Sequence, residues 1–428
     1  MKQMLLMMLT FPAAVRRLFA AQALFGIGMG VFAVLLNLYL RSIGFSEEMI
    51  GRLLAFQSLC AAIASIPMGW LADQTTRRTT YLLGLVLLGA GFTTLASSRE
   101  LNYLIAAVIM AGTGNGAMMV SVQPYLQENS RRRQRPYIFS VSFTLMWVTS
   151  ILAGFIAGWL PRLFAYLNPS LAGIEADRLQ YSLWIGVFFI FIALFPAQGM
   201  SVKGKSDKAD RQTEKPDAKH SGNINQSNPW KLIARFSLCN ALIGFGAGMI
   251  VPYFNLYFRD WVGASIPQIG MVFAMGQFGT ALGSISSPFI AKRIGLIKGV
   301  TISQLCSLPF MALMAWQHEL WLCSLCFIFR GAFMNMCTPM RQETTMEIVP
   351  ERHRARASAA ESMSWNLAWA IAMFFSGGII RDYGYDTSLY IAFACYLISA
   401  TLYYHFFHPW EKLKRPQTVA VTKPVAIS

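Results

Sequence analysis

The stretch Ala23–Gly30 (ALFGIGMG) returns 218 residues later as Ala241–Gly248 (ALIGFGAG). Seven residues beyond each final glycine, the run Asn37–Arg41 (NLYLR) is matched by Asn255–Arg259 (NLYFR) at the same spacing. Both copies lie inside apolar stretches that are long enough to cross a bilayer. A repeat of about half the chain that keeps one orientation predicts a duplicated bundle of membrane helices.

The composition also indicates a membrane protein. Of the 428 residues, 55% are hydrophobic and only 13% are charged, and the mean hydropathy is +0.45. A soluble protein carries about 25% charged residues, so this chain is expected to have the lipid bilayer as its solvent. The seven cysteines lie in apolar segments. Cys323 and Cys326 have the spacing of a redox or metal motif, but they lie on a predicted span with no His beside them. We therefore interpret them as small core residues and predict neither a metal nor a cofactor.

Apolar stretches of sufficient length predict twelve spans, each a helix because lipid offers the backbone no hydrogen-bond partner. The expected fold is therefore an all-α membrane protein with two pseudo-symmetric six-helix bundles. The predicted spans are 18–40, 49–72, 79–98, 103–126, 137–160, 180–200, 231–258, 266–291, 297–316, 320–343, 360–380 and 387–407.

Charge placement predicts the orientation of the spans. Most of the 36 Lys and Arg residues fall at one set of span ends, which the positive-inside rule assigns to the cytoplasm. Both termini then lie in the cytoplasm of a multi-pass protein of the cell membrane. The same asymmetry accounts for the net charge of +16 without a nucleic-acid partner. Examples are Arg77-Arg78, Arg131–Arg133, Lys292-Arg293, Arg352, Arg354, Arg356 and Lys412–Arg415.

A polar segment of mixed charge divides the chain in the middle. Residues 201–229 contain almost no large apolar side chains, so we expect a disordered cytoplasmic linker. The predicted domains are an N-terminal six-helix bundle over 1–200, a C-terminal bundle over 230–409 and a cytoplasmic tail over 410–428.

Two further motifs carry a resemblance to a known family. Gly116–Glu128 (GAMMVSVQPYLQE) is matched by Gly331–Glu343 (GAFMNMCTPMRQE), so spans 4 and 10 correspond. Between spans 2 and 3, Gly69–Arg78 (GWLADQTTRR) resembles the G-x-L-A-D-[RK]-x-G-[RK]-[RK] signature of the major facilitator superfamily, and Pro288–Gly295 (PFIAKRIG) is a decayed second copy. Gln74 and Thr76 depart from the signature.

The resemblance implies a secondary carrier whose two halves rock around a small-molecule substrate. It also implies that Gly69, Asp73, Arg77 and Arg78 latch the halves together on the cytoplasmic side. Physically, Gly69 would permit a close helix approach, and Asp73 can pair with Arg77. The alternative interpretation is that these charges only anchor the topology.

Arg330 is the strongest candidate for substrate binding, because it lies near the middle of span 10. A charge there costs about 2.5–3.5 kcal/mol on insertion scales, so it usually faces water and has a partner. Arg330 would bind an anionic substrate or, alternatively, would bond structurally to carbonyls or amides. The other candidates are polar or aromatic side chains of spans that, by the family resemblance, line or border the substrate cavity. Each aromatic side chain could instead pack in the core. They are Gln22, Gln57, Asn115, Trp147, Gln277, Asn335, Trp365 and Asn366.

Asn37 and Asn255, with Tyr39 and Tyr257, are symmetric in the repeat and fall near the outer ends of their spans. We interpret these four residues as a structural or outer-gate pair rather than as ligand contacts. The glycine-rich run Gly26–Gly30 indicates close helix packing, not a phosphate loop.

Proton coupling would need a buried acid, and no acid lies in the middle of a predicted span. Glu128 and Glu343, at equivalent positions near cytoplasmic ends, are the coupling candidates. They could instead close helix ends and pair with the arginine-rich loops. The possible coupling ion is H⁺.

Efflux-like members of this family share the degraded loop motif and the small size, so the resemblance implies an exporter of a small organic solute. We expect it to act as a monomer. The alternative is an uptake carrier for a small anionic nutrient, which Arg330 would suit. An enzyme is disfavoured because the five His residues show no metal or triad spacing. A membrane sensor is disfavoured because the tail is short and polar.

Overall fold

The computed structural model describes residues 11–130, 135–171, 173–200, 229–350 and 353–418. The predicted linker, except for Pro229, and the end of the predicted tail lie outside these residues, as does Arg131–Arg133. The described part of the chain is helical and contains no strand. Its long helices are α1 Ala13–Ser42, α2 Glu47–Gln74, α3 Arg77–Ser97, α4 Leu101–Glu128, α5 Arg135–Ala157, α6 Glu175–Ile192, α7 Pro229–Ile250, α8 Ile266–Ile294, α9 Leu296–Trp316, α10 Leu320–Ile348, α11 Arg354–Tyr383 and α12 Tyr385–Thr418.

The predicted all-α membrane fold is confirmed. Eleven helices in the described ranges are long and apolar enough to cross a membrane, and a bent pair brings the number to 12. That pair joins Thr144–Ala157, in α5, to the short helix Leu160–Leu167 at an angle of 42°. Gly158 and Pro161 stand at the bend. Proline has no N–H to continue the helical ladder, which accounts for the break.

The continuation of α7 is irregular. A 3₁₀ turn at Val251–Tyr253 and a π turn at Tyr257–Trp261 flank one short α-helical turn. Pro252 cannot donate a backbone hydrogen bond, and its ring crowds the carbonyl four residues earlier, so the regular helix ends there. Within this segment lies the second copy of the NLYxR motif.

Contacts divide the described residues into two compact units. One unit comprises 11–32, 60–153 and 183–200, and the other comprises 33–59, 154–182 and 229–418. Four helices, α1, α2, α5 and α6, therefore change unit along their length. The predicted bundles over 1–200 and 230–409 remain a prediction from the repeat.

Glycines hold the first unit together where α1 crosses its neighbours. A Cβ at Gly26 would lie 2.7 Å from the carbonyl oxygen of Met146 in α5, and one at Gly28 would lie 2.8 Å from that of Gly186 in α6. Real side chains do not tolerate such distances. The α1 backbone can approach α5 and α6 this closely only because these positions lack a side chain.

The second unit repeats this packing with the equivalent glycines. A Cβ at Gly244 would lie 2.8 Å from the carbonyl oxygen of Trp365 in α11, and one at Gly246 would lie 3.1 Å from that of Ala392 in α12. In the repeat, α7 corresponds to α1, α11 to α5 and α12 to α6. The glycines of α7 thus make the same helix contacts as the glycines of α1. Close helix packing, not phosphate binding, explains the repeated glycines.

Candidate functional site

Asn37 and Asn255 bond to each other inside the second unit. Asn37 Nδ2 donates to Asn255 Oδ1 at 3.2 Å and to the Pro252 carbonyl oxygen at 2.6 Å. Asn255 Nδ2 donates in return to the Val34 carbonyl oxygen at 3.2 Å. Both side chains are buried. The break that Pro252 introduces after α7 therefore supplies a carbonyl that the opposite asparagine uses.

Two glycines bring α2 and α11 into backbone contact in the same unit. A Cβ at Gly51 would lie 2.8 Å from the Met373 carbonyl oxygen, and one at Gly377 would lie 2.3 Å from the Glu47 carbonyl oxygen. Neither position can carry a side chain without a shift of the backbone. The start of the second and the end of the eleventh predicted span are in contact because both positions are glycine.

The pseudo-symmetric contact joins the segment after α5 to the start of α8. A Cβ at Gly158 would lie 2.9 Å from the Ile266 carbonyl oxygen, and one at Gly270 would lie 3.0 Å from the Gly154 carbonyl oxygen. The repeat offset of 219 residues relates Gly158 to Gly377 and Ile266 to Glu47. It also relates Gly270 to Gly51 and Gly154 to Met373. In each equivalent contact, the glycine and its partner come from opposite halves of the chain. The repeat thus extends to the contacts between helices.

Charged side chains close the same end of the second unit. Arg259 Nη2 donates to Glu175 Oε2 at 2.7 Å, and its Nη1 lies 2.6 Å from Oε1. Arg381 forms an ion pair with Glu48. We call this set the repeat junction; it consists of Asn37, Glu48, Gly51, Gly158, Glu175, Asn255, Arg259, Gly270, Gly377 and Arg381.

Gly51, Gly270 and Gly377 lie outside the motifs that predicted the fold and the site. A signal was available at offset 219, where Ser46, Ile50, Gly51 and Ala55 recur as Ser265, Ile269, Gly270 and Ala274. Both serines cap their helices: the Met49 N–H donates to Ser46 Oγ, and Ser265 forms a capping box with Gln268.

The loop motif lies in the first unit, where Asp73 forms an ion pair with Arg77. Arg77 Nε also lies 3.5 Å from Glu128 Oε1, so one coupling candidate contacts the predicted latch. Thr76 Oγ1 accepts a hydrogen bond from the Thr79 N–H at 3.1 Å and caps α3. The departure from glycine at position 76 thus provides a helix cap. Arg78 is half-buried.

The expected close helix approach at Gly69 is not observed. Nothing lies within 4 Å of a Cβ built there, because that side of α2 faces open space in this structure. The role of Gly69 in a latch stays a prediction, as do those of its charged neighbours.

Two of the polar residues on α1 and α7 tie helices together. Gln22 is buried, and its Oε1 accepts a hydrogen bond from Ser142 Oγ of α5 at 2.7 Å. Its repeat equivalent Asn240 donates to the Glu361 carbonyl oxygen of α11 at 2.7 Å. Gln22 therefore joins α1 to α5, and Asn240 joins the equivalent helices α7 and α11. Substrate binding by Gln22 stays a prediction.

Three substrate-binding candidates are exposed on long apolar helices: Trp147 on α5, Asn335 on α10 and Asn366 on α11. Asn335 donates to the Gly331 carbonyl oxygen at 2.9 Å, and Asn366 donates to the Ser362 carbonyl oxygen at 2.8 Å. Four other candidates are half-buried: Gln57, Asn115, Gln277 and Trp365. The last stacks on Trp369, with ring centroids 5.9 Å apart.

Arg330 is covered by aromatic side chains of the C-terminal half. Only 5% of the residue is exposed. Its Nη2 donates to the Tyr396 hydroxyl at 3.0 Å, and its guanidinium lies 5.0 Å from the ring centroid of Phe254. Buried Nε has no hydrogen-bond partner. This arrangement is an internal cation–π and hydrogen-bond contact, which resembles the structural alternative more than an open anion site.

Residues 18–234 and 236–426 match the family model described as Major Facilitator Superfamily. The minor myo-inositol transporter IolF of Bacillus subtilis (strain 168) is 21% identical over 84% of this chain and 82% of its own length. The quinolone resistance protein NorA of Staphylococcus aureus (strain COL) is 22% identical over 69% of this chain and 71% of its own.

Solved structures share the fold. A bacterial homologue of the human lysosomal transporter Spinster, inward-facing and unoccupied, aligns with a TM-score of 0.72 at 15% identity, over 93% of this chain and 97% of the other. The nucleoside transporter NupG aligns with a TM-score of 0.70 at 15% identity, over 92% of this chain and 99% of the other.

Proposed function

Because the chain belongs to the major facilitator superfamily, we propose that it exports a small organic solute across the cell membrane by alternating access. Family membership makes it a transporter and not an enzyme. The relatives include a resistance protein and a myo-inositol transporter, so they favour no single direction or substrate. The proposal therefore depends on the side chains that this chain offers to a ligand.

The direction of export rests on the resemblance of the loop motif to efflux-like members of the family. One observation carries the choice of substrate class: the exposed candidates are uncharged, whereas the one charged candidate is covered. An amide exposed to hydrocarbon loses its hydrogen bonds to water, which is costly. Asn335 and Asn366 are exposed on spans, so they are expected to face a wet pathway. With Trp147 they offer amide and aromatic contacts, which suit a neutral or cationic organic molecule.

The uptake of an anion is the second candidate, and Arg330 is the residue that favours it. An anion would have to replace the Tyr396 hydroxyl or reach the unpartnered Nε in a buried position. Because the guanidinium already lies against two aromatic rings, this candidate ranks below export.

The repeat junction is the proposed gate at the end of the spans that the charge pattern assigns to the outside. It consists of backbone contacts at glycines, an amide pair and ion pairs. Interfaces of this kind can separate without exposing a large apolar surface. We propose that they part when the carrier opens outward, while both termini stay in the cytoplasm.

The test is a thermal-shift screen of the purified protein with ethidium, benzoate and myo-inositol as lipophilic-cation, anion and polyol probes. A ligand that binds the folded state raises its melting temperature by mass action. We expect ethidium to stabilise the protein and Trp147→Ala or Asn366→Ala to reduce that effect. Leu152→Ala, at another exposed position of α5, is the matched control.

Direction is then measured with the stabilising probe in membrane vesicles of known sidedness. Export predicts accumulation of ethidium in inside-out vesicles and none in right-side-out vesicles. Stabilisation by benzoate alone, lost in Arg330→Ala, would replace export with the anion candidate.

A further inference from the structure

The short helix Leu160–Leu167, between α5 and α6, presents an exposed apolar surface. Its side chains Leu163, Tyr166 and Leu167 recur at helical spacing, and 48%, 84% and 66% of these residues are exposed. Trp159, directly before the helix, is 45% exposed. Neither the substrate-binding candidates nor the repeat junction uses this surface. A contiguous apolar surface of this kind marks a contact with a partner or with a membrane.

Another face of the same helix packs on the protein. Leu160 is buried, and Phe164, one turn later, packs on Tyr181 of α6 with ring centroids 5.9 Å apart. The segment that carries the helix also begins and ends in the repeat junction, because Gly158 packs on α8 and Glu175 forms its ion pair there. The protein therefore holds the helix in place and turns the apolar surface outward.

The depth of the helix in the bilayer follows from the length of α5. The 23 residues of α5, Arg135–Ala157, extend for about 34 Å at about 1.5 Å per residue, whereas the hydrocarbon core is about 30 Å thick. One helix thus crosses the hydrocarbon by itself, and the chain then turns by 42° into the short helix. Polar residues follow at Asn168 and Ser170. The short helix therefore begins at the bilayer surface, at the end that the charge pattern assigns to the outside.

We propose that the short helix lies in the outer surface of the bilayer and binds phospholipid at the boundary between headgroups and acyl chains. Phe155 and Ile156 are exposed at the end of α5, so the apolar surface continues from the span into the helix. Trp and Tyr rings favour the headgroup level. The exposed Arg162 guanidinium lies 5.6 Å from the ring centroid of Trp159 and can reach a lipid phosphate. An apolar face with a basic side chain at its border is typical of interfacial helices.

A second copy of the chain is the other occupant that this surface could have. In a symmetric dimer the same surface meets itself, so two Arg162 side chains would approach each other on a helix that contains no acid. A lipid phosphate supplies the negative charge that a second copy lacks. The charge and the continuity with α5 therefore favour phospholipid.

Depth-dependent quenching of a fluorophore tests the assignment in the full-length protein. A bimane label is attached to Tyr166→Cys after the partly exposed native cysteines Cys60, Cys306 and Cys395 are replaced with serine. In phosphatidylcholine vesicles, we expect a nitroxide near the headgroup end of the acyl chain to quench this label more than a nitroxide near the methyl end. Iodide on both sides of the membrane should quench it less. The same label at Ser170→Cys, an exposed polar position after the helix, is the matched control and should be quenched by iodide.

Two results of this measurement would overturn the proposal. Quenching of the label at position 166 mainly by iodide would show that this surface faces water. Quenching by neither iodide nor nitroxide would show that a protein surface, such as a second copy, covers it.

A second variant separates the short helix from the neighbouring span. Leu163→Asp charges the exposed surface but leaves the packed residues Leu160 and Phe164 unchanged, so we expect the protein to fold. Lipid quenching of the label at position 166 should be lost in Leu163→Asp and kept in Ser170→Asp. Full lipid quenching in Leu163→Asp would contradict binding through the helix surface. Neither measurement needs a transported ligand, so failure here is separate from failure of the export proposal.

Discussion

Asn37 and Asn255 occupy equivalent positions in the two repeats, and each donates a hydrogen bond into the chain segment that carries the other. A residue that meets its own repeat equivalent lies on the pseudo-twofold axis that relates the halves. The pair is buried, so each amide relies on the other instead of water.

We predict that Asn255→Ala lowers the free energy of unfolding by about 1–3 kcal/mol, because it leaves a buried amide without its partner. Asn37→Ala should cost a similar amount. The double variant should lose less than the sum, since the two residues interact directly. Thermal unfolding in detergent measures this cycle, with exposed Asn366→Ala as control. Strictly additive losses would contradict the pairing.

The neighbouring glycines 377 and 378 provide a matched pair for the proposed gate. A Cβ at Gly377 would lie 2.3 Å from the Glu47 carbonyl oxygen, whereas the nearest atom to one at Gly378 is 3.9 Å away. We predict that Gly377→Ala destabilises the conformation described and that Gly378→Ala does not. By helix propensity alone, both would stabilise by about 0.8–1 kcal/mol.

The measurement for this pair is the melting temperature together with the reactivity of a cysteine placed at Glu48. Gly377→Ala should lower the first and raise the second, because the junction opens. Equal behaviour of the two variants would show that the α2–α11 contact is absent in the membrane.

Features that depend on residue types along one segment can be predicted from the sequence, whereas features that depend on a contact between distant segments cannot. The span lengths and the repeat predict the all-α fold, because hydropathy and duplication can both be read directly from the residue types along the chain. Gly26 and Gly244 were recognised because they lie in a glycine-rich run. Gly377 was not, because an isolated glycine becomes meaningful only when Glu47 of another helix lies against it. The partner of Arg330 is 66 residues away and has no sequence signal.

A substitution of Asp73 distinguishes a cytoplasmic latch from a charge cluster that only anchors the topology. Its ion pair with Arg77 is exposed, and exposed pairs contribute only about 0–1 kcal/mol. We therefore predict that Asp73→Asn changes the melting temperature little but slows transport of the stabilising probe. Glu100→Gln, a substitution of an exposed acid at the start of α4, is the control. Unchanged transport by correctly inserted Asp73→Asn would leave the motif as an anchor only.

Substitutions at Arg330 and Tyr396 test whether the buried guanidinium stabilises the fold or binds the substrate. Tyr396→Phe removes the hydroxyl that accepts from Nη2 and leaves a buried guanidinium less satisfied, at about 1–3 kcal/mol. Replacing a buried charge with an apolar residue of similar volume is often neutral or stabilising, whereas removing only its partner destabilises. We therefore predict that Arg330→Met in the Tyr396→Phe background restores stability, as thermal unfolding would measure. If benzoate stabilises the wild-type protein and Arg330→Met abolishes that stabilisation, Arg330 binds the substrate and the carrier transports anions.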